Sequence, residues 1–136
     1  MAVVNTWEVK GTMVPKPFER MLKVCMSPED GSTKDFTLIV SLISPRSSTS
    51  YHSHAEGGEL MFVVTGRGRV TIEGNESTIG ADTAVFAPLG VRHRLVNDSD
   101  ETMKVICVFV PPLPPRYVER VVREEGKGAG GAEGRG

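Results

Sequence analysis

All three histidines of this 136-residue chain lie where one metal ion could collect them. His52 and His54 form an H-x-H pair, Glu59 follows in the same stretch, and His93 comes later on a separate segment. Imidazole is the commonest side-chain ligand of transition metals. Two histidines one residue apart on a strand point both rings to one face. Three imidazoles and a carboxylate, with no thiolate, suit Fe(II), Mn(II), Ni(II), Cu(II) or Zn(II). An ion of higher coordination would keep positions open for a substrate or dioxygen. No nucleophile–base pair independent of a metal is visible, and neither a P-loop nor a dinucleotide fingerprint is present. Any chemistry therefore runs through the metal.

Such a cluster needs strands to hold it. Glycines and prolines punctuate short Val/Ile/Thr/Phe-rich runs, the pattern of a β-sandwich or barrel. The expected strands are Met21–Met26, Asp35–Ser44, Thr49–His54, Glu59–Thr65, Arg69–Ile72, Glu76–Thr78, Thr83–Ala87, His93–Asn97 and Met103–Val110. Alternation along Thr49–His54 puts Ser50, His52 and His54 on one face and Tyr51 and Ser53 on the other. A Gly57-Gly58 turn then reverses the chain into a hairpin, on whose second strand Glu59, Met61 and Val63 share a face. Pro88-Leu89-Gly90 returns the chain to His93, with Leu95 and Asn97 on the same face as His93. Gly66-Arg67-Gly68 reads as a hairpin turn.

Beyond Val110 the run Pro-Pro-Leu-Pro-Pro cannot continue a ladder. Pro115 opens a short helix, Arg116–Glu125, with Val118, Val121 and Val122 on one face and Arg120 and Glu124 away from it. So short a helix needs a surface to pack on. The expected organisation is an N-terminal arm over 1–20 with a strand around Trp7–Val9, a barrel over 21–113, the helix within 114–125, and a disordered Gly-rich tail over 126–136.

From His52 to Gly66 the chain reads H-x-H-x4-E-x6-G, and from Pro88 to Asn97 it reads P-x-G-x2-H-x3-N. Together these resemble the two signature motifs of the cupin superfamily. An isolated H-x-H pair is ordinarily structural, whereas here four ligand-type residues match in two motifs. The resemblance implies an all-β double-stranded β-helix, a jelly-roll barrel. It also implies one divalent transition metal per subunit, Mn or Fe favoured and Zn, Ni or Cu possible, held by His52, His54, Glu59 and His93. Glu59 would double as a catalytic base. The family's usual opening glycines are replaced by Arg46 and Asp82. Both are turn positions.

Around the metal, Met61, Val63, Phe86, Leu95 and Phe109 are expected to line an apolar interior. Ser50 is a candidate for a substrate hydrogen bond. Cys107 is expected inward with Met103, Val105 and Phe109, as a small buried group or as an oxidisable thiol beside the metal. Arg67, Arg69, Arg92 and Arg94 read as solvated or outward.

Sixteen basic and 17 acidic residues leave a net charge of −1, without the basic stripe of a nucleic-acid binder. No apolar run approaches the ~20 residues that span a bilayer, and the N-terminus lacks a signal-peptide pattern. A cytoplasmic protein with two reduced thiols, Cys25 and Cys107, is expected. A small organic substrate or ligand is the expected partner, acted on by a dioxygenase or other oxidoreductase. The alternatives are a non-redox isomerase, cyclase or lyase, and a non-catalytic binding module. Exposed β edges and the apolar Met21–Met26 segment favour a homodimer.

Overall fold

The computed structural model describes residues 2–126. Nine strands are formed: β1 (Thr12–Val14), β2 (Arg20–Met26), β3 (Thr37–Ile43), β4 (Gly58–Thr65), β5 (Arg67–Ile72), β6 (Asn75–Gly80), β7 (Thr83–Ala87), β8 (His93–Val96) and β9 (Met103–Val110). One α-helix among the described residues, α1 (Tyr117–Glu125), follows. The strands make a six-stranded sheet in the order β1-β2-β3-β9-β4-β7 and a three-stranded sheet in the order β6-β5-β8. All pairings between named strands are antiparallel. Among the described residues no helix is long and apolar enough to cross a membrane.

Strict alternation builds the core. Along β9, Met103, Val105, Cys107 and Phe109 are buried. Their partners across the ladders are Ile43, Ser41, Ile39 and Thr37 on β3, all buried. On β4 the inward residues are Glu59, Met61 and Val63, so a carboxylate enters the core on the same face as two apolar side chains. The expected phase holds on these strands.

Four expectations change. The Thr49–His54 segment is not a ladder strand; it touches β8 through one isolated bridge, His52 to His93, with a second, Ser48 to Val96, just before it. It therefore makes no hairpin with β4, whose neighbours are β7 and β9. Gly66 is not a hairpin turn either, because β4 and β5 lie in different sheets. The chain crosses there, with Gly66 at φ +100 and no room for a side chain at Gly68 against the Val96 carbonyl. Finally, the segment around Trp7 is a single 3₁₀ turn, Thr6–Glu8, capped by the Asn5 side chain. The expected tail lies outside the described residues save Gly126.

Arg46 and Asp82, the two departures from the family's glycines, have φ of +59° and +65°. The left-handed turns are thus kept without glycine. Asp visits this region more readily than most residues. Arg46 is held there by its side chain, 2.9 Å from Asp100 and 2.8 Å from the Asp98 carbonyl. Asn97 clamps the same corner. It is fully buried, its amide donates to the carbonyls of Ile43, Ser44 and Glu101, and its Oδ1 accepts from Ser99.

Helix α1 begins on the expected apolar face. Val121 is buried, and Tyr117, Val118 and Val122 pack against the core with it. Its last turn is pinned by an ion pair between Glu125 and Arg20, 2.9 Å, both largely buried.

Candidate metal centre

The four residues arrive from three places. His52 and His54 come from the segment before β4, Glu59 from β4 in the large sheet, and His93 from the first position of β8 in the small sheet. His52 and His93 are locked opposite each other by two backbone hydrogen bonds, 3.0 and 2.8 Å. Directly opposed residues of an antiparallel pair share a face, so their rings lie 4.7 Å apart. His54 brings its ring to 4.9 Å from His52 and 5.5 Å from His93. The potential ligand atoms of all four residues lie within 4.8 Å of one another.

The surrounding hydrogen bonds fix which atoms face the centre. The Nδ1 of His52 is 2.8 Å from the Ser50 carbonyl, and that of His93 is 2.9 Å from the Val91 carbonyl. A carbonyl only accepts, so both Nδ1 atoms carry the proton and both Nε2 atoms turn inward. This is how metal-binding histidines are oriented. His93 Nε2 then faces Glu59 Oε1 at 2.9 Å, and His54 Nε2 faces the same oxygen at 3.0 Å. With the Val91 carbonyl taking its Nδ1 proton, His93 needs a proton or a cation between its Nε2 and Glu59. The donor set fits a divalent ion held by His52, His54, Glu59 and His93.

The ionisation states agree. Burial, with the charges of His93 and His54, lowers His52 to about 4. Burial alone would raise Glu59, but the hydrogen bonds and charges of His54 and His93 outweigh it and bring the carboxyl down to about 2. Burial opposes charge on His93 as well, yet the hydrogen bond and charge of Glu59 raise it. Stability tied to neutral His52 is complete above the ordinary value of 6.5 and is lost as pH falls toward 4. That tied to ionised Glu59 is lost as pH falls from 4.5 toward 2. His93 has the opposite sign; its contribution is present at low pH and lost as pH rises through its raised value. Thermal melts of the metal-free protein should therefore drop between pH 6.5 and 4, and the drop should shrink in His52→Gln. An equal drop in that variant would remove His52 as the cause.

The expected pocket lining divides. Met61, Val63, Leu95, Cys107 and Phe109 are buried in the core. Phe86 is not inward: it is 59% exposed. Register decides this, because Val85 and Ala87 oppose Met61 and Glu59 while Phe86 opposes Leu60 on the outer face. Ser50 lines the pocket, but its hydroxyl donates to Glu125 Oε2 at 2.9 Å. Cys107 is a free, buried thiol. Burial raises it well above its ordinary value, and the charge and hydrogen bonding of Glu59 raise it further. Arg92 stacks on Tyr51 at 4.1 Å and Arg69 pairs with Glu76 and Asp98, away from the cluster.

A pocket of about 370 Å³ opens onto His52 and His54. Its walls are Ser50–Glu56 and one side of α1: Tyr117, Arg120, Val121, Glu124 and Glu125. The α1 residues were missed from sequence. The helix periodicity sets Arg120 and Glu124 off the packing face, but nothing in it shows that the proline run carries the helix back over the mouth. Tyr117 places its ring 5.9 Å from that of His54. Burial first, and then the charge of Glu59, raise its hydroxyl, which stays a donor at neutral pH.

Comparison with known proteins agrees with this geometry. A polyketide synthase, CurC, of Streptomyces cyaneus is 30% identical over 63% of this chain and 54% of its own length. The chain spans 54%, 61% and 58% of the three curated relatives it matches. Among solved structures, the polyketide cyclase RemF from Streptomyces resistomycificus is 26% identical, with a TM-score of 0.72 over 85% of this chain and 82% of RemF. Ectoine synthase from P. lautus is 22% identical with a TM-score of 0.72, covering 88% and 85%. The cupin domain model matches residues 39–109, which hold all four clustered residues and most of both sheets. The chain belongs to the cupin family.

Proposed function

We propose that this protein is a divalent-metal-dependent cyclase or isomerase acting on a small carbonyl-bearing molecule, with a polyketide-like chain as substrate class. The observation that carries this reading is the pocket itself. It meets His52 and His54 of the cluster on one side and polar groups of α1 on the other. The apolar walls expected from the sequence are packed away beneath it. The likeness to a polyketide cyclase and a polyketide synthase supports the substrate class.

A divalent ion held by His52, His54, Glu59 and His93 would supply Lewis-acid polarisation of a carbonyl oxygen. The chain supplies the rest. Glu59, kept ionised, and the three histidines hold the ion. Arg120 presents a cation at the pocket wall, over the Tyr117 ring at 5.3 Å, where it suits an enolate or carboxylate oxygen of the substrate. Tyr117 offers a donor on the same side. Helix α1 forms one wall of the pocket.

The test is turnover of a poly-β-keto thioester by the Zn(II)-loaded protein under strict anaerobiosis. Cyclised product without dioxygen supports the reading. A strict need for dioxygen and a redox metal would replace it with an oxygenase. A ligand that stabilises the protein and is recovered unchanged would make it a binding module.

We also propose a homodimer. Leu60 and Phe62 on β4 and Phe86 on the edge strand β7 form an exposed apolar outer face, 43%, 38% and 59% exposed. Light scattering should give twice the chain mass at micromolar concentration, and Phe86→Asp should give a monomer. A monomeric wild type would contradict this.

A further inference from the structure

A second cavity, of about 250 Å³, lies beneath the first turn of α1. It shares only Tyr117 with the metal pocket. Its origin is topological. Six strands face three, so the inner face of the large sheet extends past the small one. Over β2 and β3 the covering layer is α1 and Leu113–Pro115. Val24 opposes Ile39, Ile39 opposes Cys107, and Cys107 opposes Met61. Directly opposed residues share a face, and Met61 shares its face of β4 with Glu59, so the cavity and the carboxylate of the metal cluster lie on one side of the large sheet.

The walls are mainly apolar, with Val24, Ile39, Leu113 and Val118 among them. Glu29, Arg116 and Glu119 mix both signs of charge at the rim, which disfavours a charged occupant.

We propose that this cavity is a second binding site, taking an uncharged, mostly apolar ring or chain. Tyr117 stands between it and the metal, 6.2 Å from Phe109 and 5.9 Å from His54 between ring centroids. A molecule long enough to pass Tyr117 places its reacting end by the histidines and its body under α1. That extension rests on the metal-dependent reading above; occupancy of the cavity does not.

The experiment is calorimetric titration of the full chain with 1-naphthol, with and without chelator. One site with a Kd below about 1 mM is expected, unchanged by chelator and unchanged in His52→Ala. Val24→Trp and Leu113→Trp should each abolish binding by filling the cavity. Leu113 lies outside the strands, so its variant remains informative if Val24→Trp fails to fold. No binding at about 1 mM, binding retained in Leu113→Trp, or binding lost in His52→Ala would each overturn the proposal. Because chelated protein is used, failure of the metal-dependent reading leaves this result unaffected.

Discussion

His93→Ala should lower divalent-metal affinity at least about 100-fold. Losing a partner that merely orients a ligand already costs about 10- to 100-fold, and His93 is placed as a ligand itself. Its ring is 2% exposed, oriented by the Val91 carbonyl, and faces the same carboxylate oxygen as His54. The readout is the thermal shift between chelated and metal-loaded protein, which subtracts the cavity the substitution leaves. At a metal concentration about 100 times Kd, binding stabilises the wild type by about 2.7 kcal/mol. A 100-fold weaker variant at the same concentration gains only about 0.4 kcal/mol. For a domain of this size the shift should fall from about 10 °C to about 2 °C. An unchanged shift in His93→Ala would take His93 out of the site.

Glu125→Ala should cost about 3–5 kcal/mol, the penalty for leaving one member of a buried ion pair uncompensated. Arg20 is 5% exposed on the inner face of β2 and meets Glu125 at 2.9 and 3.5 Å. Its other hydrogen bond, to the Phe18 carbonyl at 2.9 Å, carries no charge. The same carboxylate accepts from Ser50, whose hydroxyl lies 3.3 Å from His52 Nδ1. The latch of α1 therefore reaches the metal cluster through two side chains. A helix of nine residues is marginal alone, so the variant should lose helical circular dichroism and hydrogen-exchange protection over 117–126 first. The double variant Arg20→Met/Glu125→Leu should recover most of the loss, since replacing both charges removes the orphan. A cost below about 1 kcal/mol for Glu125→Ala would mean that the pair is screened like a surface one.

The site was legible in the sequence where chemistry forces residue type. Few side chains can stand in for three imidazoles and a carboxylate, and the residues that do so fall in two motifs with fixed spacing. The corners were legible through their glycines, and where Arg46 and Asp82 replaced glycine the left-handed turns survived. Phe86 was misplaced because β7 reads Thr-Ala-Val-Phe-Ala, apolar in both phases. Only register against Met61 and Leu60 chooses the face. The segment carrying His52 alternates as a strand does, with Ser50 and His54 buried and Ser53 exposed, yet makes one isolated bridge. Alternation reports which way side chains point and leaves open whether the backbone is paired. The pocket wall was illegible because Tyr117, Arg120 and Glu125 reach the site through tertiary packing alone. Glu125 meets Arg20 across 105 residues of chain, and no local pattern encodes that.

Metal content against ligand identity tests the central claim most directly. Chelator-stripped protein dialysed to equilibrium against micromolar Mn(II), Fe(II), Ni(II) or Zn(II), then measured by elemental analysis, should hold about one ion per chain for at least one metal, as a single four-residue cluster requires. The His52→Ala/His54→Ala protein, dialysed in parallel, should hold less than about a tenth of that. No stoichiometric uptake of any of these ions by the wild type would contradict the account, as would full uptake by the double variant.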